Sequence, residues 1–305
     1  IARPFEFSMS VASQRRTDQI VGRVICAALS LFCRKGPGRM ESGEPKRILV
    51  ILLSEMGSLV LAAPMFQYLR RRYPEASLFV LTFERNLPVL EVLHPVPLSS
   101  VLTVNGESLR SLTLQSLRVL ARLRRIGIDT VLDCELFSRI SAIFGFLSGA
   151  GLRVGFGAFT QEGLYRGRLV NRPVLYNPYR HISRQFLSLA RAIESFEVPP
   201  SKRPPETAFF LPPALEPKPG EVGGLGRRLK ADFPSLAEKR LVLLYPGGGL
   251  LPVRAWPLSS FKRLARELTT AGGCAVGIIG MRTDGNLAEE IVRHCEGDAC
   301  ADLTG

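Results

Sequence analysis

The chain has no cysteine pair at metal-ligand or redox spacing: its six cysteines lie at 26, 33, 134, 274, 295 and 300, and none forms a CxxC. That argues against the common zinc modules and thioredoxin-like motifs. Cys134 and Cys274 fall inside apolar, strand-like runs, so they read as buried free thiols of a reducing compartment, not as a disulfide framework. The sequence also lacks a short tandem repeat, a Walker GK[ST] and a GxGxxG. Acidic charge is scarce: 27 Asp and Glu face 40 Lys and Arg, leaving a net +13. An excess of that size points to an anionic partner, whether a phosphorylated metabolite, an acidic membrane surface or nucleic acid. Nucleic acid fits least, because the basic residues are scattered and no zinc-finger or RNP-type signature accompanies them.

What is present is the material of folded domains. With 46% hydrophobic and 22% charged residues over 305 positions, the chain is neither disordered nor collagen-like, and its length suits about two domains of roughly 150 residues. It begins with Ile1 and stops at Gly305 in what looks like mid-domain, so it reads as a fragment.

Residues 1–44 differ from the rest. An apolar stretch from Gln19 to Cys33 is flanked by Arg15-Arg16 and Arg34-Lys35 and interrupted by Arg23. It is shorter than the ~20 residues that span a bilayer. Basic flanks around an apolar helix suit the membrane interface and anionic lipid. An accessory helix packed on the protein's own core fits equally, while a signal peptide fits less, since no small-residue cleavage site follows.

From residue 46 strands alternate with helices. Ile48 to Leu53 is an unbroken apolar run, as a parallel strand covered on both faces requires. A turn, Ser54 to Ser58, and one long helix to Tyr73 are expected to follow, with Arg70, Arg71 and Arg72 at the helix end. Further strands are expected at 77–83, 100–104, 130–134 and 152–156, with helices at 86–93, 109–126, 140–147 and 182–196. Residues 199–219 hold eight prolines and read as a stiff linker between an N-terminal domain (45–198) and a second one (220–305). There the pattern restarts: a helix at 224–233, strands at 240–245, 274–279 and 299–303, a helix from Pro257 to about Ala271, and another at 286–295. This is α/β alternation, predicting doubly wound parallel sheets.

In such sheets ligands gather at the carboxyl ends of strands. The first loop offers Ser54, Glu55, Gly57 and Ser58; Glu55 can serve as general base toward a hydroxyl, cap the next helix or simply face water. Pro246-Gly247-Gly248-Gly249 follows a strand, precedes a helix N-terminus and is joined by Arg254, which together make a diphosphate cradle or a purely structural turn. His181, followed by Arg184, can orient a substrate phosphate or hydroxyl, or cap its helix. Asp284 can bind a ribose, although a cap is the better reading.

Three segments carry a resemblance. RILVILLSEMGSLVLAAPMFQYLRRRYPEASLFVL, IDTVLDCELFSRISAIFGFLSGAGLRVGF and LVLLYPGGGLLPVRAWPLSSFKRLARELTTAG resemble, in order, the glycosyltransferase family 9 proteins, the ADP-heptose:lipopolysaccharide heptosyltransferases. The resemblance covers roughly residues 46–305. It implies a GT-B architecture of two Rossmann-like domains facing a cleft, acceptor on the first and nucleotide-sugar on the second. It also implies metal-independent, inverting transfer with no cofactor, ADP-heptose being a co-substrate. By the same likeness Arg254 takes the place of the basic residue that contacts donor phosphate, with Gly247 and Gly248 in the loop beside it, and a first-loop carboxylate serves as base. The residues themselves add Gly249 and Asp284 as candidates on the donor side, and Ser54, Gly57, His181 and Arg184 as candidates for a lipid-linked anionic glycan acceptor. The implied location is the cytoplasmic face of the inner membrane. The family's first loop commonly ends in Gly-Asp, whereas here Gly57 is followed by Ser58, so either Glu55 is the base or the chemistry is lost. A donor-binding loop and helix are expected after Gly305. The alternatives are an inactive relative that binds nucleotide-sugar or glycolipid, and a nicotinamide-dependent oxidoreductase, against which the missing GxGxxG argues.

Overall fold

The apolar run Ile48–Leu53 supplies the centre of the first sheet. Alternation sends Ile48, Val50 and Leu52 to one face and Leu49, Ile51 and Leu53 to the other, and all six are buried. The structure, a computed structural model, describes residues 16–33, 43–53, 56–105, 109–136, 138–157, 166–194, 220–248, 255–271, 273–295 and 297–305. It divides into two compact units, 1–215 and 216–305, and the division falls within the proline-rich stretch.

In the first unit, strands β1 (Arg47–Ile51), β2 (Ser77–Phe83), β3 (Val101–Val104), β4 (Thr130–Asp133), β5 (Leu152–Phe156) and β6 (Arg172–Val174) form one parallel sheet in the order β3-β2-β1-β4-β5-β6. The register aligns Leu49 with Phe79 on one side and with Val131 on the other. Helices α2 (Met56–Leu61), α3 (Ala63–Arg72), α4 (Leu87–Leu93) and α7 (Ile182–Arg191) cover one face, with Leu59, Met65, Leu69, Leu90 and Phe186 buried there. Helices α5 (Leu109–Ile126) and α6 (Arg139–Leu147) cover the other through Val119, Leu123 and Phe144. Each fully buried aliphatic or aromatic side chain contributes about 1.5–3 kcal/mol, so β1 and its coverings dominate the stability of this unit.

Several expected elements shift. The helix after the first loop is two helices, broken at Ala62, because Pro64 in the first turn of α3 has no N–H to continue the α2 ladder. The helix expected to run to 196 ends at Arg191, and a turn occupies 192–194. Strand β6 was not expected; it has only three residues, too few to show a period. Its buried Arg172 donates through Nη1 to the carbonyls of Ala192 (3.1 Å) and Ile193 (2.9 Å), taking up backbone acceptors at the end of α7.

The N-terminal segment packs on the first unit. A π-helical turn, Asp18–Gly22, runs on as the α-helix Arg23–Ser30; together they are α1. The N-cap residue of α6, Ser138, makes no side-chain cap bond. Asp18 does that work from outside: its Oδ1 accepts from the backbone N–H of Arg139 (2.9 Å) and Ile140 (3.1 Å), and its Oδ2 pairs with the buried Arg139 Nη1 at 3.3 Å. Cys26 and Cys33 are buried against Ala142 and Leu169. All six cysteines are free. Among the described residues no helix is long and apolar enough to cross a membrane.

In the second unit, β7 (Arg240–Leu244), β8 (Cys274–Ile278) and β9 (Cys300–Asp302) form a parallel sheet in the order β7-β8-β9. Helices α10 (Leu258–Thr270) and α11 (Gly285–Val292) bury Ala265, Ala288 and Ile291 on one face. Helices α8 (Glu221–Asp232) and α9 (Pro234–Ala237) cover the other, around Ala275 and Ala301. Pro257, expected in the first turn of α10, is its N-cap residue, with an extended ψ of 136°.

The docking of α1 has a measurable consequence. Asp18→Ala removes the carboxylate that pairs with the buried Arg139 guanidinium and uncaps two helix-terminal N–H groups, so urea unfolding followed by circular dichroism is expected to show a loss of about 1–3 kcal/mol. An unchanged midpoint would mean that this contact does not anchor α1.

Candidate functional site

The strand order reverses between β1 and β4: successive strands run outward from β1 to β3, and the chain then returns to the other side of β1. A doubly wound sheet offers its ligand crevice at the carboxyl ends of the strands flanking such a reversal. A buried polar cluster occupies this place. Leu53, the last described residue before the first loop, donates its N–H to Glu135 Oε1 at 2.6 Å and accepts at its carbonyl from Asn86 Nδ2 at 2.8 Å. Asn86 also reaches Thr82 Oγ1 at 3.0 Å, and its Oδ1 is buried with no hydrogen-bond partner among the described residues.

Asp133 closes β4 and is 2% exposed. Its Oδ2 accepts from Arg166 Nη1 (3.1 Å) and Ser141 Oγ (3.0 Å), and its Oδ1 from the Glu135 N–H (3.1 Å). Arg166 Nη2 also donates to the Glu135 carbonyl. Burial pushes the Asp133 carboxyl up to about 6, against the pull of Arg166 and of the Glu135 and Ser141 hydrogen bonds, while the Glu135 charge adds to the rise. Desolvation therefore outweighs the ion pair.

Of the residues expected around the first loop, Ser54 and Glu55 lie outside the described residues. Gly57 and Ser58 begin α2; Gly57 is exposed and Ser58 half-buried, its carbonyl accepting from Ala62 N at 2.9 Å. A Cβ at Gly57 would meet nothing within 4 Å, so the bare backbone faces open space. His181 lies beyond the carboxyl end of β6, at the same edge of the sheet, and is the N-cap of α7. Its exposed ring accepts from Ser183 N at 3.3 Å and lies 2.7 Å from Ser183 Oγ. Arg184 is exposed in the first turn, and Tyr179 on the preceding loop is 94% exposed. Gln185 clasps this loop, its amide donating to the Asn177 carbonyl.

In the second unit Gly247 and Gly248 follow β7, whereas Gly249 and Arg254 lie outside the described residues. A Cβ at Gly247 would come to 2.7 Å from the outer end of the exposed Tyr245 ring, which would have to swing aside. Trp256 packs edge-on against Phe261, with ring centroids 5.3 Å apart. Asp284 follows β8 at the corresponding edge. Its Oδ2 accepts from Met281 N at 2.9 Å and so closes the 3-10 turn Arg282–Asp284; the side-chain cap expected on the next helix is not made, because this bond within the turn occupies the carboxylate instead. Among the described residues no group of three or more His, Cys, Asp or Glu side chains could hold a metal ion.

Reading the sequence missed Asn86, Asp133, Glu135 and Arg166. The signal for two of them is present in TVLDCE, an apolar strand that ends in two acids one residue apart. Asn86 and Arg166 reach the cluster from distant loops, which no local pattern reveals.

No family model and no curated protein matches the chain. Solved structures do. E. coli ADP-heptose lipopolysaccharide heptosyltransferase II is similar with a TM-score of 0.65 and 20% identity, over 85% of this chain and 72% of that one. A family 9 glycosyltransferase from Veillonella parvula DSM 2008 matches with a TM-score of 0.65 and 15% identity, over 85% and 69%. E. coli heptosyltransferase WaaC with ADP-2-deoxy-2-fluoro heptose matches with a TM-score of 0.59 and 14% identity, over 85% and 76%. At these identities the likeness shows the fold, the GT-B class of two Rossmann-like units expected from the sequence.

The raised Asp133 carboxyl carries a pH signature. A folded-state value of about 6 against an unfolded 3.8 means that its contribution is full below pH 3.8 and is lost as pH rises through 6. The unfolding free energy of the wild type minus that of Asp133→Asn is expected to fall by on the order of 2–3 kcal/mol between pH 4 and 7. A flat difference across that window would show that Asp133 titrates normally.

Proposed function

We propose that the chain is a glycosyltransferase that moves a heptose or related sugar from a nucleotide-diphosphate donor, ADP-heptose, to a lipid-linked anionic glycan of the lipopolysaccharide kind. The observation that carries this reading is the fold likeness to heptosyltransferase II over 85% of the chain. The donor class is supported by WaaC, solved with ADP and with ADP-2-deoxy-2-fluoro heptose. For the acceptor and the site of action, the cytoplasmic membrane face, the support is the family resemblance and the basic charge.

In this reaction the acceptor hydroxyl oxygen attacks the anomeric carbon from the side opposite the diphosphate. The new C–O bond forms as the bond to the diphosphate oxygen breaks, inverting the centre, and ADP leaves with the bonding electrons. Glu55 takes the hydroxyl proton. In the sequence it stands two residues beyond Leu53, whose peptide is held on both sides by Glu135 and Asn86. The amides of Gly247 to Gly249 and the Arg254 guanidinium bind the charge growing on the departing diphosphate. His181 and Arg184 orient the acceptor's anionic groups.

A second reading rests on Ser58. The serine follows Gly57 where the resembling family carries an aspartate, and a hydroxyl does not accept a proton without a base of its own. In that case the protein binds nucleotide-sugar or glycolipid without transferring it.

Incubation with ADP-heptose and lipid-linked acceptor, read as ADP release and acceptor mass gain, separates the two. Turnover is expected, with Glu55→Gln lowering kcat by about 10²–10⁴-fold and Ser58→Ala near wild type. Arg254→Ala is expected to weaken ADP binding about tenfold or more in calorimetry. Donor binding without turnover favours the second reading, full activity in Glu55→Gln removes the base assignment, and absence of both binding and turnover sinks both.

A further inference from the structure

The side of the first sheet covered by α5 and α6 has an unusual outer surface. α5 and α6 share the core beneath them, Arg124 Nε donates to the Leu147 carbonyl between them, and α1 packs beside α6. Across these three helices the sequence places one carboxylate, Asp18, and it is turned inward to cap α6. Apart from uncharged polar residues such as Gln19 and Thr113, the exposed positions are apolar or basic. On α1 and the turn that follows it, Ile20 is 66% exposed, Val24 65%, Leu31 84% and Phe32 78%, with Arg16 and Arg23 exposed nearby. On α5, Leu114 and Leu117 are about as exposed, and Arg118, Arg122 and Arg125 continue the same face at helical spacing.

We propose that this face lies on a lipid bilayer rich in anionic headgroups, with the outer stripe of α1 as its apolar anchor. A helix whose inner side is already satisfied by its own domain has no folding reason to carry valine, leucine and phenylalanine outward. An interfacial helix does have one, since it buries such a stripe ~5–10 Å into the headgroup boundary with basic residues beside it. The sign of the charge selects the occupant. Two copies meeting through this face in a two-fold dimer would set arginine against arginine, whereas acidic lipid neutralises every one of them. No described helix can cross the bilayer, so the contact is with one leaflet. This inference does not depend on the glycosyltransferase reading; it concerns where the chain sits and not what it transfers.

Flotation of the intact 305-residue chain tests it. The chain is expected to float with vesicles of phosphatidylcholine mixed with phosphatidylglycerol and to stay behind with phosphatidylcholine alone. Salt near ~1 M, where the screening length falls to about 3 Å, should weaken the binding. Arg118→Ala, Arg122→Ala and Arg125→Ala are each expected to lower partitioning about fivefold. Val24→Asp with Leu31→Asp should abolish it while every arginine remains. All these positions are exposed, so melting curves are expected to match wild type. The proposal is overturned if wild type ignores anionic vesicles, binds neutral ones equally, or binds no better than the variants. It is also overturned if lipid-free wild type is a dimer that Val24→Asp with Leu31→Asp converts to monomer.

Discussion

One peptide group organises the first unit. The backbone of β1 is satisfied by the ladders to β2 and β4 as far as Leu52 and Cys134, whose N–H groups reach the carbonyls of Leu81 and Ile51. At Leu53 the ladder ends while the chain is still buried, and a buried unpaired N–H or C=O costs about 1–3 kcal/mol. Side chains replace the missing strand: Glu135 takes the N–H and Asn86 gives to the carbonyl. The apolar strand can therefore stop abruptly, and the following loop starts from a fixed point.

Two carboxylates so close to a strand end raise the question of whether one of them serves as the base. Asp133 is held by Arg166, Ser141 and a backbone N–H, and Glu135 by Leu53 N–H. They are 2% and 6% exposed, respectively. A general base has to approach the proton it removes, and these oxygens are already committed to internal donors. Their chemistry is that of a foundation. The same economy explains Asp18, which stands in for the cap that Ser138 does not provide and fastens α1 into the layer beside α6.

The larger elements were legible because their causes are local. Ile48–Leu53 announces a doubly covered strand, and the helix of residues 109–126 was placed from its amphipathic period alone. The departures have non-local or very short causes. The break at Ala62 comes from a proline two residues ahead, β6 is three residues long, and the buried cluster joins side chains from Asn86 to Arg166, 80 positions apart in the sequence. In the second unit, that Gly247 and Asp284 follow strands was readable because a loop after a strand is a local feature; in the first, the side chains that hold Leu53 were not. For residues 16–33 two readings stood side by side, an interface helix and a helix packed on the core. Burial is decided face by face: one face of α1 packs on the core, as the second reading expects, and the other is exposed.

That division of labour separates the charges of the first unit. Asp133 and Glu135, at the carboxyl end of β4, are turned inward, where Asp133 meets a guanidinium, a hydroxyl and a backbone N–H and Glu135 meets the Leu53 N–H. On the α5–α6 side the arginines point outward from helices that carry no competing carboxylate. Arg139 and Arg166 show the exception: they are buried, and each has an acid within 3.3 Å. Where an arginine enters the interior, a partner goes with it, as the cost of an isolated buried charge demands. The outward arginines carry no such obligation. Their charge remains available to a large anionic surface, which gains more from several weak, screened contacts than from any single buried pair.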